Sequence, residues 1–355
     1  MKTVFFLIVW LFVLGAAHAQ PLTIAKTLEI SDASANTVPP VSPVAKIAVL
    51  SAPRVIGRYS QSIFNVALAT TLGVTPSGCE MRHFTVPDES PESLRKALDE
   101  IRKEGIQAVL APLTSAGTKN LLGADTGLAI FVPTVHKRDF PEASQNIVFG
   151  SIDYVRQIEA LLPHMSDSIA VFYDDSAVGK QLKASTEEVF VAHKGAKKTF
   201  TAYPVDPKGD NIVSHLSRPA QFHKKSVIFH VPVVKSSLLA AHMTFTGVKE
   251  RNILSTQINI DPNLLHLTQY HDRKNMIIAN SLVEFPPGIY ASNALMNNDI
   301  AFDWVHYASS VGIDYLVAKL NGTPRSYTMR IVNNQVIYPI ELLRPKESGF
   351  EPLRP

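Results

Sequence analysis

Short apolar runs alternate with amphipathic segments along most of the chain, which is the pattern of alternating strands and helices. Lys46 to Leu50 is a compact apolar run between prolines and predicts a buried strand. Ser90 and Pro91 then supply an N-cap and a first-turn proline for a helix. The apolar positions after them fall at helical spacing: Leu94, Ala97, Leu98 and Ile101. This alternation predicts α/β architecture, with parallel sheets covered by helices on both faces.

The same alternation starts again after Gly150 and therefore predicts a second sheet. Two doubly wound parallel-sheet lobes of four or five strands each fit the pattern; one open sheet of ten strands is the less common alternative. A long helix after Asn298 ends near Gly322, and Asn333-Asn334 predicts a hairpin turn. A chain that runs lobe, lobe, helix and hairpin must cross between its lobes repeatedly, so we expect a multi-strand hinge. We assign residues 44–150 and 288–320 to lobe I, and 151–287 and 321–345 to lobe II.

The N-terminal segment has the features of an export signal. Lys2 precedes an apolar run from Val4 to Ala17, and Ala17-His18-Ala19 matches the small-residue pattern that a signal peptidase cleaves before Gln20. The run is too short to span a bilayer as a helix, although an uncleaved membrane anchor is the alternative. No cysteine follows it, which excludes a lipoprotein signal. We therefore expect a signal peptide over 1–19, a linker over 20–43, and a bacterial periplasmic protein that does not span the membrane.

Composition and motifs exclude several function classes. A formal net charge of +3 in 355 residues offers no electrostatic footprint for nucleic acid. Cys79 is the only cysteine, so no intrachain disulfide can form, and an inert thiol is favoured over a reactive one. The sequence contains no nucleophile elbow, dinucleotide fingerprint or P-loop, and its histidines are scattered. We predict no enzyme activity, no metal site and no cofactor.

Four local patterns, in order, resemble the type I periplasmic binding protein fold of leucine/isoleucine/valine-binding proteins. Residues 111–118 are similar to that family's Gly-Pro-x-x-Ser-x-x-Thr turn after the third strand, and residues 132–136 are similar to its Ser-Pro-x-Ala-Thr loop after the fourth. Residues 173–179 resemble the segment that leads into Tyr-Gly-x-Gly and a helix. Residues 312–315 resemble the Tyr-Asp-Ala region of the C-terminal helix. The resemblance covers roughly residues 46–342 and implies two lobes that close over a ligand.

The resemblance places a ligand site at the carboxyl ends of the strands, where helix N-termini converge. It implies that Ser115 and the next loop hold a substrate carboxylate, whereas a serine that only caps its helix is the equally weighted alternative. His136 replaces the usual threonine, and the basic run it begins either favours an anionic guest or is simply solvated. The predicted ligand-binding residues are Ser115, Ala116, Thr118, Thr134, Val135, His136, Asp175, Val178, Gln257 and Arg58.

Two departures from the family leave a second hypothesis open. Val178 stands where the amino-acid binders place a tyrosine over the ligand. The final helix and hairpin resemble the C-terminal domain of penicillin-binding protein activators, although this sequence lacks their lipidated cysteine and helical repeats. We therefore expect a non-catalytic periplasmic binding protein. Its ligand would be small, polar or anionic and amino-acid-like, and the protein could deliver that ligand to an ABC transporter. The alternative is a ligand-free accessory protein that binds a periplasmic or inner-membrane protein of envelope or cell-wall synthesis.

Overall fold

A computed structural model describes residues 44–74, 79–124, 127–195 and 197–354. The expected signal peptide (1–19) and the whole of the expected linker (20–43) lie outside the described residues. The strands are β1 (Lys46–Ser51), β2 (Glu80–Thr85), β3 (Ala108–Leu110), β4 (Ala129–Val132), β5 (Ile147–Phe149), β6 (Ser168–Asp174), β7 (Thr199–Val205), β8 (Ser226–His230), β9 (Asn252–Ser255), β10 (Met276–Asn280), β11 (Arg330–Val332), β12 (Gln335–Ile337), β13 (Glu341–Pro345) and β14 (Phe350–Pro352).

Helices occupy most of the intervals between these strands. The α-helices are α1 (Pro53–Ile56), α2 (Tyr59–Val74), α3 (Pro91–Lys103), α4 (Ser115–Leu122), α5 (Tyr154–Leu161), α6 (Ala177–Lys194), α7 (Ile212–Leu216), α8 (Val233–Phe245), α9 (Pro262–Leu267), α10 (Tyr270–Arg273), α11 (Pro287–Leu295) and α12 (Trp304–Asn321). Short 3₁₀ turns lie at Lys137–Asp139, Leu162–His164, Pro219–Phe222 and Gln257–Asn259.

The strands form two seven-stranded sheets, so the two-lobed α/β prediction is confirmed. The first sheet has the order β11-β12-β5-β4-β3-β1-β2, and the second has the order β14-β13-β10-β9-β8-β6-β7. Strands β1–β5 pair in parallel in the first sheet, and strands β6–β10 pair in parallel in the second. An antiparallel pair lies at one edge of each sheet, β11 with β12 in the first and β13 with β14 in the second. Each sheet with its helices is a lobe, here called the first and second lobe.

Apolar residues fill both faces of each sheet, which explains the uninterrupted apolar runs. In β1, Ile47 and Val49 pack under α2 and α12, whereas Ala48 and Leu50 face the core beneath α3. The second sheet is covered by α8 and α9 on one face and by α5 and α6 on the other. Side chains at the carboxyl ends of the strands are therefore held at fixed positions beside the other lobe.

The chain crosses between the sheets at residues 150–153, 281–286 and 338–340. Tyrosines join these crossings: the hydroxyl of Tyr338 donates to the carbonyl of Gly150 at 2.6 Å, and that of Tyr307 donates to the carbonyl of Glu284 at 2.9 Å. The third crossing differs from the expected division of the chain, because β11 and β12 join the first sheet through β5, and only β13 and β14 join the second. The turn at Asn333-Asn334 has the positive φ angles, 48° and 63°, of the expected hairpin.

Candidate functional site

A cavity of about 260 Å³ lies between the two lobes at the carboxyl ends of their strands. Its first-lobe side comes from the start of α4 and the loop after β4, and its second-lobe side comes from α6. The first crossing and the start of α12 complete the wall. The lining residues are Ser115, Thr134, Val135, His136, Arg138, Asp139, Ser151, Ile152, Asp153, Tyr154, Val155, Val178, Gln181, Leu182, Ser185 and Trp304. Half of the predicted site residues are therefore together: Ser115, Thr134, Val135, His136 and Val178.

The first turn of α4 offers unpaired hydrogen-bond donors at this cavity. Thr114 caps the helix, since its hydroxyl accepts the N–H of Gly117 at 3.1 Å, so the alternative in which Ser115 is the cap is wrong. Among the described residues, neither the N–H groups of Ser115 and Ala116 nor the Ser115 hydroxyl has a partner. Free N–H groups at a helix N-terminus attract anions such as carboxylates. The Ser115 end of α4 can therefore bind a carboxylate.

A buried glutamate fixes the position of this turn. The Glu89 carboxylate accepts the N–H of Thr114 at 3.0 Å and also the Thr114 hydroxyl. Glu89 lies so close to Gly117 that an added Cβ would be 2.2 Å from its Oε2 atom. The second lobe repeats this arrangement at α6, where Ser176 is the cap and Gly179 packs on Asp174. Glycine at the third helical position thus lets each acid pack against the first turn.

The basic side chains of the run that begins at His136 are bound within the first lobe and its crossing. Lys137 donates to the carbonyls of Phe140, Pro141 and Ala143 at 2.9–3.0 Å. Arg138 forms an ion pair with Asp153, which also caps α5. Lys137 is therefore outside the cavity lining, and Arg138 lines the cavity as part of an ion pair.

His136 and Arg138 set the ionisation of Asp153. Nε2 of His136 lies 3.4 Å from Oδ2 of Asp153. Nδ1 of the same imidazole ring accepts the backbone N–H of Arg138 at 3.1 Å, so the ring proton is on Nε2. Burial alone would raise the pKa of Asp153, but the hydrogen bond from His136 and the charge of Arg138 hold it well below its usual range. Asp153 is therefore ionised at neutral pH.

The second lobe presents neutral side chains to the cavity. Val178 is 47% exposed, and Leu182, Gln181 and Ser185 follow it along one face of α6. Asp175 is outside this lining and pairs with Lys180 at 2.8 Å. No carboxylate of the second lobe lines the cavity in the part of the chain described here.

The other predicted residues lie elsewhere. Ala116 is exposed beside Ser115, while Thr118 is buried in α4. Gln257 is 4% exposed and accepts the N–H of Ser281 at 2.7 Å, so it supports the second lobe from inside. Arg58 lines a separate cavity of about 440 Å³ and stacks on Tyr59.

Several residues that line the cavity at Ser115 were not predicted from the sequence. Asp139 is exposed at the cavity and has no ion pair within the described ranges. Trp304 begins α12 and lines both inter-lobe cavities. Asp153 could have been recognised as a helix N-cap from the local sequence, because aspartate is common directly before the first turn of a helix. Nothing near Trp304 in the sequence indicates that residue 304 lines the same cavity as the loop at residue 136, since its position depends on how α12 packs.

Neither a metal-binding cluster nor a membrane-spanning helix occurs among the described residues. No group of three or more histidine, cysteine, aspartate or glutamate side chains there can hold a metal ion. No helix among them is long and apolar enough to cross a membrane.

Solved structures share this architecture, although their sequences are distant. A Rhodospirillum rubrum protein described as a branched-chain amino acid ABC transporter is 12% identical, with a TM-score of 0.65, over 87% of this chain and 100% of that one. LivJ of Streptococcus pneumoniae, solved in complex with isoleucine, is 10% identical with a TM-score of 0.60, over 88% and 100%. The C-domain of Haemophilus influenzae LpoA, described as a regulator of PBP1A, is 10% identical with a TM-score of 0.57, over 87% and 100%.

The similarity is one of structure, because no family model and no curated protein matches the sequence. The chain spans 59% of full-length Haemophilus influenzae LpoA and the whole of the Rhodospirillum rubrum and Streptococcus pneumoniae proteins. The expected resemblance to both groups is confirmed at the level of the fold. The two seven-stranded lobes, the three crossings and these structural matches show that the chain has the type I periplasmic binding protein fold.

Proposed function

We propose that this chain is a non-catalytic, exported binding protein whose lobes close over a small zwitterionic ligand of the amino-acid type. The observation that carries the proposal is the inter-lobe cavity of about 260 Å³, with the unpaired donors of Ser115 and Ala116 at one side. Closure of two lobes over a ligand completes hydrogen bonds from both sides and removes the ligand from water.

The charges of the lining favour a zwitterion over a simple anion. The charged lining groups besides His136 are Arg138, Asp139 and Asp153, one positive and two negative. A net-anionic guest gains little from such a lining, whereas a zwitterion can place its carboxylate at Ser115 and its ammonium at Asp139. The apolar faces of Val178, Leu182 and Trp304 then receive an aliphatic side chain. Predicted site residues outside the cavity, Asp175 and Arg58 among them, have no part in this arrangement.

The export prediction supports a periplasmic place for such a protein. A signal peptide over residues 1–19 would deliver the folded lobes outside the inner membrane, where binding proteins of this fold meet their ligands. The ligand would then pass to a membrane transporter.

Isothermal titration of the full chain with the twenty common amino acids tests the proposal. We expect 1:1 binding of at least one aliphatic amino acid. Asp139→Asn should weaken that binding by about tenfold, because a charge-assisted hydrogen bond contributes roughly 1.5–3 kcal/mol. The matched control is Asp175→Asn, which removes an exposed carboxylate outside the cavity and should leave the affinity unchanged. Absence of binding by every amino acid would overturn the proposal.

A second candidate function is that of an accessory protein for an envelope partner, and one surface favours it. Helix α8 exposes Val234, Leu238 and Phe245 along one side, by 57%, 50% and 86%, and Val213 of α7 is 59% exposed. Exposed apolar stripes of this kind mark protein interfaces. Leu238→Lys should then abolish co-purification of one envelope protein without affecting amino-acid binding. Unchanged co-purification would exclude this surface.

A further inference from the structure

A third cavity, of about 530 Å³, lies at the junction of the lobes and differs in chemistry from the cavity at Ser115. Aromatic and aliphatic side chains form most of its lining. These residues are Ile260, Pro262, Leu265, Leu282, Phe285, Ala301, Phe302, Leu343 and Phe350. The polar lining residues are His266, Asn280, Glu347 and Ser348, with Gly349 beside them. The volume is within the range of small-molecule sites, which are mostly apolar with a few polar groups.

The buried part of this cavity's lining contains no charged side chain. His266 and Glu347 are the titratable lining residues, and both are exposed. Asn280 is buried, but its side chain already donates to the carbonyl of Leu282 at 2.9 Å and accepts the Leu282 N–H at 3.1 Å. An anionic guest would meet Glu347 and no Lys or Arg side chain in the lining, and a charge placed against the buried part of the lining would lose its hydration without gaining a partner. The chemistry therefore selects an uncharged, apolar molecule.

Hydrogen bonds fix the walls on both sides, so the cavity is preformed. Arg273, which is 2% exposed, donates to the carbonyls of Lys346 and Glu347 at 2.8–3.1 Å and holds the turn between β13 and β14. On the opposite wall, Asp299 accepts the N–H groups of Ala301 and Phe302, each at 2.9 Å. A preformed site spares a ligand the cost of ordering its walls.

The cavity also joins the lobes. Ala301 and Phe302 precede α12 of the first lobe, Phe285 lies in the second crossing, and Phe350 belongs to β14 of the second lobe. The rings of Phe302 and Phe350 are 6.3 Å apart between centroids. A guest in this cavity contacts both lobes and the segment that connects them.

We propose that this cavity is a second ligand site, which binds one small, uncharged, apolar molecule such as an aromatic or short-chain compound. The site is independent of the amino-acid cavity and shares no lining residue with it. Because its walls come from both lobes, a bound guest stabilises their contact.

Titration of the full chain with N-phenyl-1-naphthylamine, an uncharged probe that fluoresces in apolar surroundings, tests this site. We expect saturable binding of one probe per chain. Binding should be at least tenfold weaker in Phe302→Asp, and in Ala301→Trp, which fills the cavity. The control is Phe245→Asp, since Phe245 is 86% exposed on α8 and outside the cavity; its affinity should stay within twofold of the unaltered chain. The anionic analogue 8-anilino-1-naphthalenesulfonate should bind at least tenfold more weakly.

The outcomes separate the alternatives. Unsaturable fluorescence, an equal loss in Phe245→Asp, or unaltered affinity in Ala301→Trp would show that the probe binds exposed surface and would overturn the proposal. Equal affinity for the anionic analogue would overturn the assignment of an uncharged ligand. Thermal melting verifies that each variant folds, and Ala301→Trp decides the result if Phe302→Asp does not. Amino-acid binding at the other cavity is a separate measurement, so its failure leaves this test unaffected.

Discussion

Replacing Gly117 with alanine should destabilise the protein, although alanine is the better helix former. Alanine in place of glycine inside a helix contributes about 1 kcal/mol of stability. Here the new Cβ would lie 2.2 Å from Oε2 and 2.5 Å from Cδ of Glu89, so the glutamate must move. Its displacement breaks the charge-assisted bonds to Thr114, worth roughly 1.5–3 kcal/mol, and crowding adds about 1–3 kcal/mol. We expect a net loss of about 2–4 kcal/mol in the free energy of unfolding.

A double-mutant cycle with Glu89→Ala tests the role given to the glutamate. Glu89→Ala removes the Oε2 and Cδ atoms and leaves only the residue 89 Cβ, 2.9 Å from the added methyl group, so Gly117→Ala should cost the Glu89→Ala chain much less than it costs the unaltered chain. The assay is urea unfolding followed by circular dichroism, with equal m-values required for comparison. Gly123→Ala at the other end of α4 is the control, because its nearest contact would be an ordinary 3.5 Å. An equal loss from Gly117→Ala in both backgrounds would refute the role given to Glu89.

Two further predictions concern buried polar groups. Burial lowers the pKa of His230 to about 3, whereas the unfolded chain binds this proton near pH 6.5, so stability is complete above pH 6.5 and is lost as the pH falls. Between pH 7 and pH 5 the free energy of unfolding, measured with urea, should therefore fall by about 2 kcal/mol more for the unaltered chain than for His230→Gln. An equal fall in the two chains would contradict this prediction. Tyr338→Phe removes the donor to the Gly150 carbonyl and should cost about 1–2 kcal/mol by the same assay. The control is Tyr290→Phe, at a 47% exposed position, which should leave the free energy of unfolding measurably unchanged. An equal effect of the two substitutions would contradict the hinge contact assigned to Tyr338.

The repeating apolar pattern predicted the two lobes because their buried strands are apolar on both faces. The pattern did not predict elements that are very short, or the sheet that a strand joins when only strand pairing decides it. Strand β5 has three residues and was missed. The run from Gln335 to Leu342 looks like one strand, but it divides between the two sheets at residues 338–340. Apolar character continues through the break, so local sequence cannot show which sheet each half joins.

The candidate site was predicted where local patterns determine it and missed where long-range packing does. Ser115 and His136 follow strand ends, and the sequence alone placed both at the cleft. The ion pair of Arg138 with Asp153 joins residues on either side of β5, so the sequence left the basic run open between an anion site and a solvated loop. Asp175 looked available beside a strand end, but the geometry turns it outside the cavity lining.

The donor at Ser115 is the feature on which the proposed function rests most directly. Ser115→Pro removes both its hydroxyl and its N–H, and proline fits here because it is favoured at the first helical position and Thr114 is already extended, with φ −68° and ψ 169°. For the amino acid that binds most tightly, isothermal titration should show a loss of roughly 100-fold for Ser115→Pro and about tenfold for Ser115→Ala, with the melting temperature unchanged. Binding by Ser115→Pro as tight as that of the unaltered chain would contradict the account.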